Sequence, residues 1–270
     1  MKIPNLGSRK NRILLKELVK TDFKLRYQGS LLGYLWAVLR PMMLFAILYV
    51  VFAKILKMGS DIPHYPVYLL AGTVLWSFFS ECTNQGIQAI VARGDLLRKI
   101  SFPKWIIVVS ATVTALINFL INLGVVIIFA IINGVTPNLG WLLVPFIILE
   151  LYLLSLGISF FLGAINVKYR DISSIWEVFM QALFYAVPVI YPITMVASAS
   201  PFAAKIFLLN PIAQVIQDVR YFLITDQTIT TWNYLENRLL YLIPLGLVSL
   251  VIILGGIYFR KRSKYFAEEA

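Results

Sequence analysis

The chain carries almost none of the residues that usually do catalysis. One cysteine, Cys82, and one histidine, His64, occur in 270 residues. A single cysteine cannot close an internal disulfide, which excludes a small secreted scaffold held by bridges. A single histidine excludes a His–Cys metal cluster. Charge is scarce too: 14% of the residues are Asp, Glu, Lys or Arg, against about 25% in an average soluble domain. No Gly-Lys pair exists, so a phosphate loop is missing and ATP cannot be bound by that route. Asp-x-Asp pairs, which hold a metal in sugar-nucleotide sites, and Gly-x-Ser-x-Gly elbows are missing as well. Nothing positive points to an enzyme.

Apolar residues are what the chain has in excess. They make up 60% of it, and the mean hydropathy is +0.81. This is the composition of an integral membrane protein, not of a disordered chain or a nucleic-acid module. A membrane span needs about 20 mostly apolar residues. Six stretches qualify: Leu35–Leu56, Val67–Val91, Trp105–Ile132, Trp141–Ile165, Ile175–Ile193 and Leu239–Phe259. The expected architecture is one all-α domain over 1–270. Residues 1–34 form an amphipathic segment, 35–259 a six-span bundle and 260–270 a tail. The first 34 residues are polar and basic, without the apolar core of a cleavable signal.

The net charge of +11 is unevenly placed. Of the 24 Lys and Arg, 18 fall in the N-terminal segment, the loops after spans two and four, and the tail. Lys and Arg concentrate on the cytoplasmic side, so both termini are expected there. Trp36, Trp105 and Trp176 then sit at cytoplasmic span ends and Trp141 at an external one, as in an interfacial aromatic belt.

Residues Ser8–Tyr27 read as a helix lying on the membrane. Leu14, Leu18 and Leu25 share one face, while Arg12, Lys16, Lys20 and Lys24 recur on the opposite arc. Such a helix binds anionic lipid headgroups. It is either an anchor alone or also a receiver for a phosphate-bearing substrate or a partner. The loop Arg93–Lys104 holds a second short helix, bracketed by Gly94 and Pro103. Asp95 near its start and Arg98 and Lys99 further along suit the helix dipole. Leu96, Leu97, Ile100 and Phe102 give it an apolar surface that a plain turn would not need. Periodicity does not separate an interfacial helix from a knob that docks into a soluble partner.

The segment Pro192–Asn237 is too long for a plain connector and strongly apolar. Asn210-Pro211 forms a cap followed by proline at the first helical position, opening a run through Val215, Val219 and Phe222. Two short helices returning to the membrane fit it best, as an external gate or as a cap on the bundle. Glu81, Glu150 and Glu177 fall in or near spans, where an ionised acid costs about 2.5–3.5 kcal/mol at mid-bilayer. Glu177 lies close enough to the cytoplasmic end to reach water. Titration of Glu81 or Glu150 would make the chain an ion-gradient carrier, but no internal repeat supports that alternative. Phe45, Tyr49 and Phe52 on span one, and Phe184, Tyr185 and Tyr191 on span five, either line a path or simply pack.

Leu25-Arg-Tyr-Gln-Gly-Ser-Leu-Leu-Gly-Tyr-Leu-Trp-Ala-Val-Leu-Arg-Pro41 resembles the opening signature of ABC-2 type export permeases for cell-surface polysaccharides. That family includes O-antigen, capsule, teichoic-acid and rhamnose-polysaccharide exporters. Leu70–Trp76, Leu96–Pro103, Asn166–Asp171 and Phe184–Pro192 with Asn210-Pro211 resemble further blocks of it, in order along nearly the whole chain. The resemblance implies a half-transporter in a bacterial plasma membrane. Two copies pair, and two copies of a separate ABC ATPase, which carry the ATP and Mg, bind from the cytoplasm. This chain itself would bind no cofactor and no nucleic acid. The resemblance casts Asp95, Leu96, Leu97, Arg98, Lys99 and Ile100 as the coupling helix. Arg26, Tyr27 and Arg40 would meet the headgroup of an undecaprenyl-pyrophosphate-type lipid-linked glycan. Spans one and five would line the conduit, and the helix after Asn210 would form the external gate. A drug or lipid exporter of the same fold is the alternative cargo reading.

Overall fold

The computed structural model describes residues 9–29, 32–59, 62–235 and 238–269. Helices account for nearly all ordered structure, and no strand occurs among the described residues. Among the described residues, four helical runs are long and apolar enough to cross a membrane: Gly33–Ile55, Trp105–Ile132, Leu139–Asn166 and Leu239–Arg262.

The chain opens with α1 (Arg9–Tyr27), the expected amphipathic helix. Arg12, Lys16, Lys20 and Lys24 are exposed, and Leu14, Leu15, Leu18 and Val19 turn partly inward. Leu25 is an exception, exposed although it shares the leucine face. α2 (Trp36–Leu48) continues into a π-helical turn, Tyr49–Ile55. Pro41 lies inside α2. It has no N–H, so the carbonyl of Ala37, four residues earlier, loses its helical partner.

α3 (Tyr65–Gln88) is the central helix, buried on nearly every side from Val67 to Cys82. Its second half carries Ser77, Ser80, Glu81, Thr83, Asn84 and Gln85, which makes it less apolar than its neighbours. α5 (Trp105–Ile132) and α6 (Val144–Asn166) pack against it, and α12 (Leu242–Arg262) packs on α6. The backbones of α6 and α12 meet at Gly157 and Gly255, where any Cβ would strike the other helix. Small residues are the usual way for membrane helices to approach closely.

α7 (Ile172–Ala186) has 15 residues and ends in an extended stretch at Val187. At 1.5 Å per residue it spans roughly 22 Å, short of the roughly 30 Å hydrocarbon core. α8 (Ile193–Ala199), α9 (Pro201–Leu208) and α10 (Pro211–Leu223) follow. The cap read from Asn210 is present: its side chain accepts from the Ile212 N–H at 2.9 Å. α11 (Thr231–Tyr234) leads to α12, and a last turn, α13 (Phe266–Glu269), folds back onto α4 (Gly94–Lys99).

Candidate functional site

A cleft of about 950 Å³ opens between α2, α3 and α5, with Arg26 of α1 at its wall. Arg26 and Arg40, both expected at an entrance, line it together with Trp36 and Trp76. Tyr27 ends α1, and its side chain lies outside what is described. The deep wall is made of carboxamides: Asn84 and Gln85 from α3, Asn118 and Asn122 from α5. Asn118 and Asn122 are four apart and so share one face of α5, as Glu81 and Gln85 do on α3.

Glu81 sits at the centre of this wall. Arg26 makes an ion pair with its Oε1. The same oxygen accepts from Gln85 Nε2 at 3.0 Å and from Asn118 Nδ2 at 2.9 Å. Asn122 turns its amide to a backbone group: Nδ2 donates to the Ala37 carbonyl at 3.0 Å. This is the oxygen left free by Pro41, so a side chain of α5 replaces the missing backbone donor of α2.

The aromatic residues expected along a path divide between core and surface. Phe45 is buried, 5.8 Å from the Tyr49 ring and 5.7 Å from Phe129. Tyr49 and Phe52 pack against the core. Phe184 packs on Trp76 at 5.5 Å, so α3 stands between the two sets. Tyr185 is exposed, and Tyr191 donates to the Tyr185 carbonyl at 2.9 Å.

The short helix α4 presents two faces. Asp95, Arg98, Lys99 and Ile100 are exposed, and Leu96 is half-buried. Leu97 turns inward, into a cluster with Ile90, Ile107, Phe259 and Phe266. A partner could therefore reach the exposed residues of this segment and not Leu97. Phe266 is fully buried behind it, with Lys104 Nζ 6.0 Å above its ring. Burial lowers the Lys104 pKa from its ordinary value, with Glu268 opposing. Just before α4, Arg93 makes an ion pair with Asp22 of α1. Burial raises the Asp22 carboxyl above its ordinary range, with the Arg93 charge pulling it back down.

At the opposite end, α10 is held by Arg220, which is fully buried. Its guanidinium donates to the carbonyls of Tyr68 at 3.1 Å and Pro188 at 2.7 Å. It also donates to Val189 O at 2.5 Å and lies 3.6 Å above the Tyr68 ring. The carbonyls left bare where α7 unwinds are thus satisfied by a side chain. Val215 and Val219 are buried, and Phe222 stacks on Trp232 at 6.3 Å. Glu150 is buried beside Gln214, whose amide also donates to Asp218 at 2.6 Å. Glu177 is exposed.

A family model described as ABC-2 type transporter matches residues 13–224. The chain belongs to this family. It is 32% identical over 205 residues to the O-antigen export system permease protein RfbA of Myxococcus xanthus, covering 76% of this chain and 78% of that protein. It is 28% identical over 256 residues to the protein of the same name from Klebsiella pneumoniae, covering 94% of each. The polysialic acid transport protein KpsM of Escherichia coli is 24% identical over 220 residues, covering 78% of this chain and 81% of that protein. With its apolar helices, this ABC-2 chain is a multi-pass membrane protein.

Sequence reasoning passed over several residues that organise the site. Asp22 was lost among the cations of α1, although only Glu17 otherwise breaks that basic run. Asn118 and Asn122 stand four apart in the apolar α5, a spacing visible in the sequence. Arg220 lies in the stretch Pro192–Asn237, and its burial had no local signal. The return of Phe266 to α4 had no local signal.

Proposed function

We propose that the chain is the membrane-spanning subunit of an ATP-driven exporter that moves a lipid-linked cell-surface polysaccharide outward across a bacterial plasma membrane. Two copies pair, and two copies of a separate ATPase bind at the α4 end, which faces the cytoplasm with both termini. ATP and Mg stay on that partner. α3 and α7 serve as the second and fifth of six spans, and α8–α10 re-enter the membrane from outside.

The observation that carries this reading is the cleft. Two arginines suit a phosphate-bearing head, while the exposed Trp36 offers sugars a stacking surface beside a wall of carboxamides that can exchange hydrogen-bond partners. A drug or simple lipid would leave the two arginines without an anionic group to meet. The exporter names of the relatives point the same way. The polar residues Asp95, Arg98 and Lys99 and the apolar Ile100 would enter a groove of the ATPase. Closure of the ATPases would push α4, and α1 would carry the shift to Arg26. The conduit would form between paired α2 and α7 faces, where Ile47, Val50, Val178 and Tyr185 are exposed on the single chain. Phe45, buried, and Phe184, half-buried, lie behind those faces and would hold them in place. Asn210, Pro211, Val215, Val219 and Phe222 would form the external gate.

The ion-gradient alternative has less support, because Glu81 is already engaged by a guanidinium and two amides. The test is co-expression with the ATPase encoded beside this gene, purification through a tag on this chain, and assay of ATP hydrolysis and of surface polymer. A stoichiometric complex that hydrolyses ATP, with surface polymer lost on deletion, is expected. A partnerless monomer whose deletion leaves surface polymer unchanged would overturn the reading.

A further inference from the structure

Three nitrogen donors converge on one oxygen in the cleft. Arg26, Gln85 and Asn118 all donate to Oε1 of Glu81. They come from α1, α3 and α5, so three separate helices build the convergence. A set of converging N–H donors with one guanidinium is what an oxyanion requires. Here a carboxylate of the chain itself fills that place. Glu81 is partly open to the cleft, its side chain 26% exposed, so the carboxylate has room to leave.

We propose that Glu81 is a resident anion. It holds the donors in place while the cleft is empty and yields them to a phosphate oxygen of a diphosphate head when the substrate enters. This rests on the entrance reading of the cleft. A multiply charged head fits better than a single carboxylate for two reasons. Arg40 lines the same cleft and supplies a second guanidinium. The volume of about 950 Å³ also exceeds the needs of one small anion. Glu81 thereby sets a threshold. A ligand must offer more negative charge to Arg26 than the residue it displaces, so neutral glycans and single hydroxyls do not open the site.

The exchange also solves a problem of emptiness. An internal partner balances the Arg26 charge until the ligand arrives. The resident carboxylate competes with the ligand, so its neutralisation strengthens binding instead of weakening it. This sign separates a competitor from a structural or ligand-holding residue.

The experiment uses the full-length chain in nanodiscs of phosphatidylcholine, with farnesyl diphosphate as the probe and calorimetric titration as the readout. Glu81→Gln is expected to bind about tenfold more tightly than the wild type, the size of one charge-assisted contact released. Gln85→Ala, which removes a donor and keeps Glu81, is expected to bind several-fold more weakly. Arg26→Gln should bind poorly whether or not Glu81 is also changed, as a double-mutant cycle would show. Thermal unfolding of each variant checks that it is folded. Unchanged or weaker binding by folded Glu81→Gln, with wild-type binding still dependent on Arg26, overturns the resident anion and leaves the entrance reading standing. Loss of the probe from wild type and all variants overturns both. Nanodiscs containing phosphatidylglycerol form the second arm. Equal competition by that lipid would show that the cradle takes any phosphate headgroup and would overturn the diphosphate assignment.

Discussion

Asp22 of α1 is paired with Arg93, the residue that leads directly into α4. One turn further along α1, Arg26 is paired with Glu81 inside the cleft. Residues four apart share a helix face, so one face of α1 touches both the segment before α4 and the wall of the cleft. The amphipathic helix is therefore a strut between the two, in addition to any role at the lipid surface.

Asp22→Asn tests the strut. We expect the variant to fold and to keep its partner, with transport and substrate stimulation of ATP hydrolysis reduced several-fold. Stability should not fall at neutral pH, because burial makes the Asp22 charge costly. The sign follows from the raised pKa. The folded chain holds this proton more tightly than the unfolded one, so the contribution of Asp22 to stability is full below the ordinary carboxylate range. It is lost as pH rises through the raised value. The ion pair exists only on the alkaline side of that value. Coupling should fail as pH falls through the raised value, before the fold does, and Asp22→Asn should remove that pH dependence.

The two faces of α4 predict opposite outcomes for neighbouring substitutions. Ile100 is 54% exposed and Leu97 is 6% exposed. Ile100→Asp should leave the isolated chain as stable as wild type and abolish co-purification with the ATPase. Leu97→Ala should lower stability itself, by about 2–5 kcal/mol, as for other buried leucines. Thermal unfolding of the chain without its partner distinguishes the two.

Asn122 supplies the donor that Pro41 withholds from the Ala37 carbonyl. Asn122→Leu leaves that carbonyl unpaired against an apolar side chain, at a cost of about 1–3 kcal/mol. Pro41→Ala restores a backbone donor to the same oxygen. The double variant should therefore be more stable than Asn122→Leu alone, and unfolding midpoints in one detergent would show it.

Arg220 packs over Gly72 of α3, where a Cβ would meet its guanidinium and the Val189 carbonyl. Gly72→Ala should cost about 1–3 kcal/mol through overpacking. If Arg220 is the tie between α10 and the unwound end of α7, the loss should appear first at that end. Hydrogen exchange at Val187–Ile190 and along α10 should rise while α5 and α12 remain protected.

Composition and short-range pattern were enough to place the four apolar membrane helices, the amphipathic α1, the short α4 and the cap at Asn210. Each depends on hydropathy along one helix or on hydrogen bonds between residues near in sequence. Family membership was legible for the same reason, since its signature blocks are continuous stretches. The pairs that make the cleft depend on how helices turn toward one another. Asp22 and Arg93 are 71 residues apart, Arg26 and Glu81 are 55 apart, and Glu81 and Asn118 are 37 apart. Hydropathy does not encode the rotation of a helix about its axis when apolar side chains surround it. That rotation is settled by packing against α3 and α5, together with the need to satisfy each buried polar group. Packing therefore turned Leu97 inward, brought Asn122 to the Ala37 carbonyl and joined an acid of α3 to a basic helix 55 residues earlier in the chain.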